Sequence, residues 1–104
     1  MELPRTYQRF KDRFPDIVAA YERLGDAVAD EGPLDEKGRE LIKLAIAIGS
    51  QSEGGVHSHT RRAIKADATG EEIEQIVLLS ITSIGFARAV AACTWVNDVL
   101  IASD

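Results

Sequence analysis

A chain of 104 residues with 45% hydrophobic residues, one cysteine and a formal charge of -5 is sized for a single domain over residues 1–104 with a modest core. The acidic balance argues against a nucleic-acid partner, because phosphate binding needs clustered Lys and Arg, and the nearest cluster, Arg61, Arg62 and Lys65, reads as a solvated helix face. Cys93 alone excludes an intrachain disulfide, residues 1–5 lack the layout of a secretory leader, and no apolar run reaches the ~18 residues that span a bilayer. A cytoplasmic chain with no membrane partner is expected.

The periodicity predicts helices throughout and no strand, an all-α domain of about six helices. The first, over about residues 6–14, spaces Tyr7, Phe10 and Phe14 at helical intervals. Pro15 punctuates it and suits the first turn of a second helix. That helix reaches about Ala29, with Ile17, Val18, Tyr21, Leu24 and Val28 as its apolar stripe. Glu31-Gly32-Pro33 breaks the chain. Asp35 is placed to cap a third helix, whose core stripe is Leu41, Leu44, Ala45 and Ile48 and which runs out in Gly49-Ser50-Gln51-Ser52. A fourth helix starts around Glu53 and ends near Ala66. Thr69-Gly70-Glu71-Glu72 is a capping box for a fifth helix carrying Ile73, Ile76, Val77, Leu78 and Leu79, with Gly85 as its stop. The last helix, about residues 86–101, is apolar around much of its circumference through Phe86, Val90, Ala91, Cys93, Trp95, Val96, Val99 and Leu100. So apolar a helix in so small a domain implies burial on both sides and hence self-association.

The most informative stretch lies between Glu40 and Thr69. Successive side chains of a helix turn by about 100°, so Val56 and Ala63 mark the apolar centre of the fourth helix, with Ser52, His59 and Thr60 near that line. His57, Arg61 and Lys65 fall on the charged side. On the third helix Glu40 shares a face with Leu44 and Ala47, an uncomfortable place for a carboxylate unless something compensates. A histidine from the next helix would do so, and two antiparallel helices joined by a short Gly/Ser connection are natural neighbours. A Glu40–His59 contact is expected on that ground. Gly54 and Gly55 stand at a helix start, where backbone amides are unpaired and can receive a carboxylate, and an imidazole moves protons near neutral pH.

Plainer roles compete with these. His59 can be a hydrogen-bonded structural residue, Gly54-Gly55 can serve close packing, and Glu40 can pair with Lys37, Arg39 or Lys43. Cys93 reads as an inert buried thiol. Glu53 and His57, four residues apart, can share a metal ion. His57 and His59, however, point about 160° apart, so the three converge only with distortion or a second subunit.

Three segments carry a resemblance to a known family. Leu34-Asp35-Glu36-Lys37-Gly38-Arg39-Glu40-Leu41-Ile42 resembles the opening of the core helical hairpin of the carboxymuconolactone decarboxylase / alkylhydroperoxidase-D-like family (AhpD-like). Glu53-Gly54-Gly55-Val56-His57-Ser58-His59-Thr60-Arg61-Arg62-Ala63 resembles its signature helix, and Ala68-Thr69-Gly70-Glu71-Glu72-Ile73 the capped helix that follows. The likeness covers about residues 15–101. In the family's peroxidase branch a Glu precedes a Cys-x-x-Cys-x-x-x-His motif. Its Glu falls on Glu40 and its His on His59, while its cysteines fall on Ser52 and Gly55. No thiolate or disulfide forms there, which excludes the standard peroxidase cycle. The decarboxylase branch does without that pair and resembles proton-transfer catalysts acting on small carboxylated lactones.

The resemblance implies a homo-oligomer, trimer or hexamer, with a small-molecule ligand and no cofactor or metal. Its candidate catalytic residues are His59 and Glu40, and its candidate substrate-binding residues are Ser52, Glu53, Gly54, Gly55 and His57, of which Glu53 and His57 are the ones a neighbouring subunit can supply. A non-enzymatic binding or scaffold subunit and a metal-binding protein using Glu53 and His57 are the alternatives.

Overall fold

The computed structural model describes residues 5–102, all of whose regular elements are helices; the segment 1–4, read above for a leader pattern, lies outside the described residues. The chain divides into two compact units, residues 1–33 and 34–104. No described helix is long and apolar enough to cross a membrane.

The first unit contains α1 (Arg5–Arg13) and α2 (Pro15–Asp30). Pro15 opens α2 within its first turn, where its missing N–H costs nothing. Phe10 and Phe14 meet with ring centroids 5.0 Å apart, Arg13 lies over the Phe14 ring, and Glu22 accepts a hydrogen bond from the Tyr7 hydroxyl and sits near Lys11. The apolar stripe expected on α2 is present, but only Val18 is buried; Ile17, Tyr21, Leu24 and Val28 are exposed. Periodicity marks a face that repels water without saying whether anything covers it. Nine-residue α1, which buries none of its own residues, is too small and polar to cover that face.

The second unit contains α3 (Glu36–Gly49), α4 (Glu53–Lys65), α5 (Gly70–Ile84) and α6 (Phe86–Ala102). Each of α3 and α6 packs against both α4 and α5, so the four helices close around a common core. Leu44, Ala47 and Ile48 from α3, Val56 and Ala63 from α4, Ile73 and Val77 from α5, and Ala92 and Val96 from α6 form it. Each fully buried branched residue adds roughly 1.5–3 kcal/mol, which makes this cluster the main source of stability in the unit. Two stripe expectations are corrected. Ala45 on α3 is exposed, and on α6 Phe86 and Val90 are exposed while Ala89, Ala92, Val96 and Val99 are buried. The buried face of α6 is built from smaller residues because that helix approaches α4 and α5 at once.

Local chemistry sets the helix ends. The Asp35 carboxylate accepts from the Gly38 amide at 2.8 Å and caps α3. Two residues past the end of α3, Gln51 takes the left-handed conformation (φ 54), with its side-chain amide donating to the Ile48 carbonyl. Gly85 stops α5 at φ 96, a conformation that disfavours any side chain. At the start of α5, Thr69 Oγ1 accepts from the Glu72 amide and the Glu72 carboxylate accepts from the Thr69 amide, completing the capping box. The same carboxylate reaches Lys37 of α3 at 2.9 Å, tying α3 to α5.

These partners act on Glu72 and Lys37 in opposite directions. The hydrogen bond from the Thr69 amide, then that from Lys37, holds the Glu72 carboxyl below its ordinary pKa. The hydrogen bond to Glu72 and its charge raise Lys37 above its own. A depressed carboxyl contributes stability that is present above the ordinary carboxylate value and lost as pH falls through the lower folded value; the raised Lys37 contributes stability lost only as pH rises through its higher folded value. Glu72→Gln is therefore expected to be less stable than the native chain at neutral pH, the gap narrowing as the acid range is entered. Urea midpoints of both proteins across that range measure it, and a gap that is constant with pH would contradict the assignment.

Candidate functional site

The site begins with a carboxylate placed in a core stripe. Glu40 lies one turn before Leu44 and two before Ala47 on α3 and is only 9% exposed. A charge so placed needs a hydrogen-bonding partner, and the next helix supplies it. Glu40 Oε2 and His59 Nδ1 are 3.0 Å apart. A carboxylate only accepts, so the imidazole donates from Nδ1–H. That leaves Nε2 as the ring's proton acceptor, an imidazole oriented by a carboxylate and able to take up or release a proton at its far nitrogen.

The close approach of α3 and α4 depends on the turn between them. Ser52 caps α4, its Oγ accepting from the Gly55 amide at 3.1 Å. A Cβ on Gly55 would lie 2.9 Å from Ser52 Oγ and 3.1 Å from Ala47 Cβ. Gly55 thus serves both the cap and the packing of α4 on α3. A Cβ on Gly54 would meet nothing within 4 Å. The helix start read from the sequence as a set of bare amides is accordingly part-filled, because Ser52 already satisfies the Gly55 N–H.

The remaining candidates separate. Ser52, Glu53 and Gly54 are exposed at the first turn of α4. His57 points away from Glu40 and His59; its Nε2 lies 3.0 Å from Asp98 Oδ2 on α6. Asp98 was missed at the sequence level, although it is the lone acidic residue of a largely apolar helix, which is a usable signal. Among the described residues no group of three or more His, Cys, Asp or Glu is arranged to hold a metal ion. Of the alternative partners of Glu40, Lys37 pairs with Glu72 and Arg39 donates to the Leu34 carbonyl. Cys93 is partly buried, with the Asn97 amide against its sulfur at 3.7 Å.

Thr60, beside His59, is fully buried, and its Oγ1 is the one buried side-chain polar atom among the described residues with no hydrogen-bond partner. Sequence periodicity placed it near the core line without indicating that its hydroxyl would lack a partner.

A helical hairpin with a buried Glu from one arm hydrogen-bonded to a His from the other defines a small all-α protein with a carboxylate–imidazole contact at its centre. The sequence model of the carboxymuconolactone decarboxylase family matches residues 15–98, and the chain belongs to that family. It is 34% identical over 59 residues to an uncharacterized protein of Haemophilus influenzae, a match covering 57% of this chain and 52% of that one; the chain spans about half the length of that relative. It is 25% identical over 80 residues to the uncharacterized protein H16_B0147 of Cupriavidus necator, covering 77% and 71% of the two chains. Among solved structures it is similar to apo-lpg0406, a carboxymuconolactone decarboxylase family protein from Legionella pneumophila, with a TM-score of 0.75 and 23% identity over 90% of this chain and 83% of that chain. That likeness supports the fold.

Two expectations follow from the geometry. Gly55→Ala lowers stability because its Cβ displaces the Ser52 cap and crowds Ala47, a loss of about 1 kcal/mol or more. Gly54→Ala enters open space and is neutral or gains up to about 1 kcal/mol from helix propensity. Urea denaturation compares the two, and equal effects would refute the close-approach role of Gly55. Thr60→Val exchanges an unpaired hydroxyl for a methyl of similar shape and is expected to hold or raise stability by about 1 kcal/mol; a fall of that size would show that the hydroxyl has a partner in solution.

Proposed function

We propose that the chain is a small-molecule enzyme of the carboxymuconolactone decarboxylase type, acting on an organic acid or lactone by proton transfer through His59 and Glu40 and not as a Cys-x-x-Cys peroxidase. The observation that carries the reading is the 3.0 Å Glu40–His59 contact with Glu40 buried. Glu40 holds the Nδ1–H tautomer and stabilises the imidazolium that forms when Nε2 takes a proton. In a decarboxylation, the C–C bond to the carboxyl group breaks, CO₂ leaves, and the electron pair stays on the carbon skeleton conjugated with the lactone. Protonated His59 then delivers a proton to that skeleton from Nε2. The exposed first turn of α4, with Ser52, Glu53 and Gly54, is the side from which a small anion is received, aided by the positive end of the helix. Ser52 and Gly55 carry no thiol, which removes the peroxidase chemistry.

Self-association as a trimer or hexamer is part of the same proposal. Ile42 and Ile46 on α3, Leu78 and Leu79 on α5, and Phe86 and Val90 on α6 are exposed in the second unit, and the α2 stripe is exposed in the first. Apolar surface of this extent is characteristic of subunit contacts. A cytoplasmic setting suits the single free thiol.

The second reading is a non-enzymatic binding or scaffold subunit of the same fold, favoured by the Ser52 hydroxyl that already occupies the Gly55 amide. Carbon dioxide release from a panel of carboxylated γ-lactones separates the two. The enzymatic reading expects turnover by the native chain that falls about 10²-fold or more in His59→Ala. Turnover unchanged in that variant removes the acid–base role, and a native chain inert toward the whole panel favours the binding subunit.

A further inference from the structure

We propose that His57 and Asp98 form a positioning pair that sets the rotation of α4 and thereby holds His59 against Glu40. The proposal rests on the reading of Glu40 and His59 as the working pair and adds two residues that touch neither of them in the structure.

Residues two apart on a helix are about 3 Å apart along the axis and point about 160° away from each other. His57 and His59 therefore leave α4 at almost the same height on opposite sides. Each meets a carboxylate at 3.0 Å, from Asp98 of α6 on one side and from Glu40 of α3 on the other. A shift of α4 toward α6 stretches the contact with Glu40, and a shift toward α3 stretches the contact with Asp98. A turn of α4 about its axis carries both imidazoles off their partners at once. The two contacts together fix an angle that one alone leaves free to pivot.

Nothing else on the body of α4 supplies such a restraint. Its N-terminus is held by the Ser52 cap, but beyond that cap the described side-chain hydrogen bonds of α4 are those of His57 and His59. Thr60, between them and the core, is buried with its hydroxyl unpaired. Val56 and Ala63 contribute only apolar contacts, which are non-directional and tolerate small rotations. The directional control of a helix that carries the proposed acid–base residue thus falls to a pair 41 residues apart in sequence, whose carboxylate side chain is 54% exposed. That exposure makes the pair a weak source of stability, so its effect on His59 is separable from an effect on folding.

The test reads His59 itself. Imidazole nitrogen and proton resonances of the labelled full chain report whether Nδ1–H is hydrogen-bonded and how fast it exchanges with water. In His57→Ala and in Asp98→Ala, where the exposed carboxylate leaves no internal cavity, His59 Nδ1–H is expected to shift toward its solvent-exposed values and exchange faster. His57→Gln, whose side-chain amide can donate to Asp98 from similar reach, is expected to keep His59 close to native. Lys37→Met, which removes the α3–α5 ion pair instead, is expected to leave it unmoved. His59 resonances unchanged in both alanine variants, displaced as far in His57→Gln as in His57→Ala, or displaced as far by Lys37→Met would overturn the proposal. Unchanged turnover in His59→Ala would sink the acid–base reading and leave these spectra as they are, so the two failures are distinguishable.

Discussion

The structure turns on a carboxylate held inside a helical hairpin. Glu40 occupies a position where an aliphatic side chain would be unremarkable, and it stays there because His59 donates to it at 3.0 Å. Leaving a largely buried polar group without its partner costs about 1–3 kcal/mol, a sizeable share of the roughly 5–15 kcal/mol that stabilises a small domain. The contact in turn requires α3 and α4 to approach closely. That approach depends on the bare Cα of Gly55 against Ala47 and on a cap that starts α4 at the right residue. Site and fold are therefore one set of constraints: the residues proposed to move protons are also those that align the hairpin.

Much of this was legible in the sequence because it is written in local terms. Helix caps act over three or four residues, so Asp35 and the Thr69–Glu72 box located the starts of α3 and α5 directly. The Glu40–His59 contact was also accessible, since a carboxylate on a core stripe needs compensation and a short turn leaves few donors within reach. Features set by more distant partners were less legible. The α2 stripe has the right period, yet Ile17, Tyr21, Leu24 and Val28 are exposed, because periodicity describes a helix and burial describes what faces it. His57 falls on the charged side of α4 by periodicity, and its partner, Asp98, lies 41 residues away on α6, beyond the reach of any spacing rule. The unpaired Thr60 hydroxyl is a property of packing geometry that no spacing rule contains.

The division of labour on α4 explains why a helix of only thirteen residues carries so many polar groups. Ser52 sets where it begins, His59 sets its contact with α3, His57 sets its contact with α6, and Val56 and Ala63 fill the core between. Hydrophobic burial supplies most of the energy but little directional information. The hydrogen bonds supply direction at small net energy.

The turn at Ser52 and Gly55 also bears on how the chain relates to the thiol-dependent branch that its motif resembles. Those two positions are where that branch has its cysteines, and here they are bound to each other as cap and capped amide. Replacing Ser52 first removes the oxygen that receives the Gly55 amide; replacing Gly55 first forces a Cβ to within 2.9 Å of that oxygen and 3.1 Å of Ala47. Either single step weakens the hairpin, and neither alone creates a redox pair. Thiol chemistry at this turn therefore needs both positions changed together, at the loss of the cap that Ser52 and Gly55 now form.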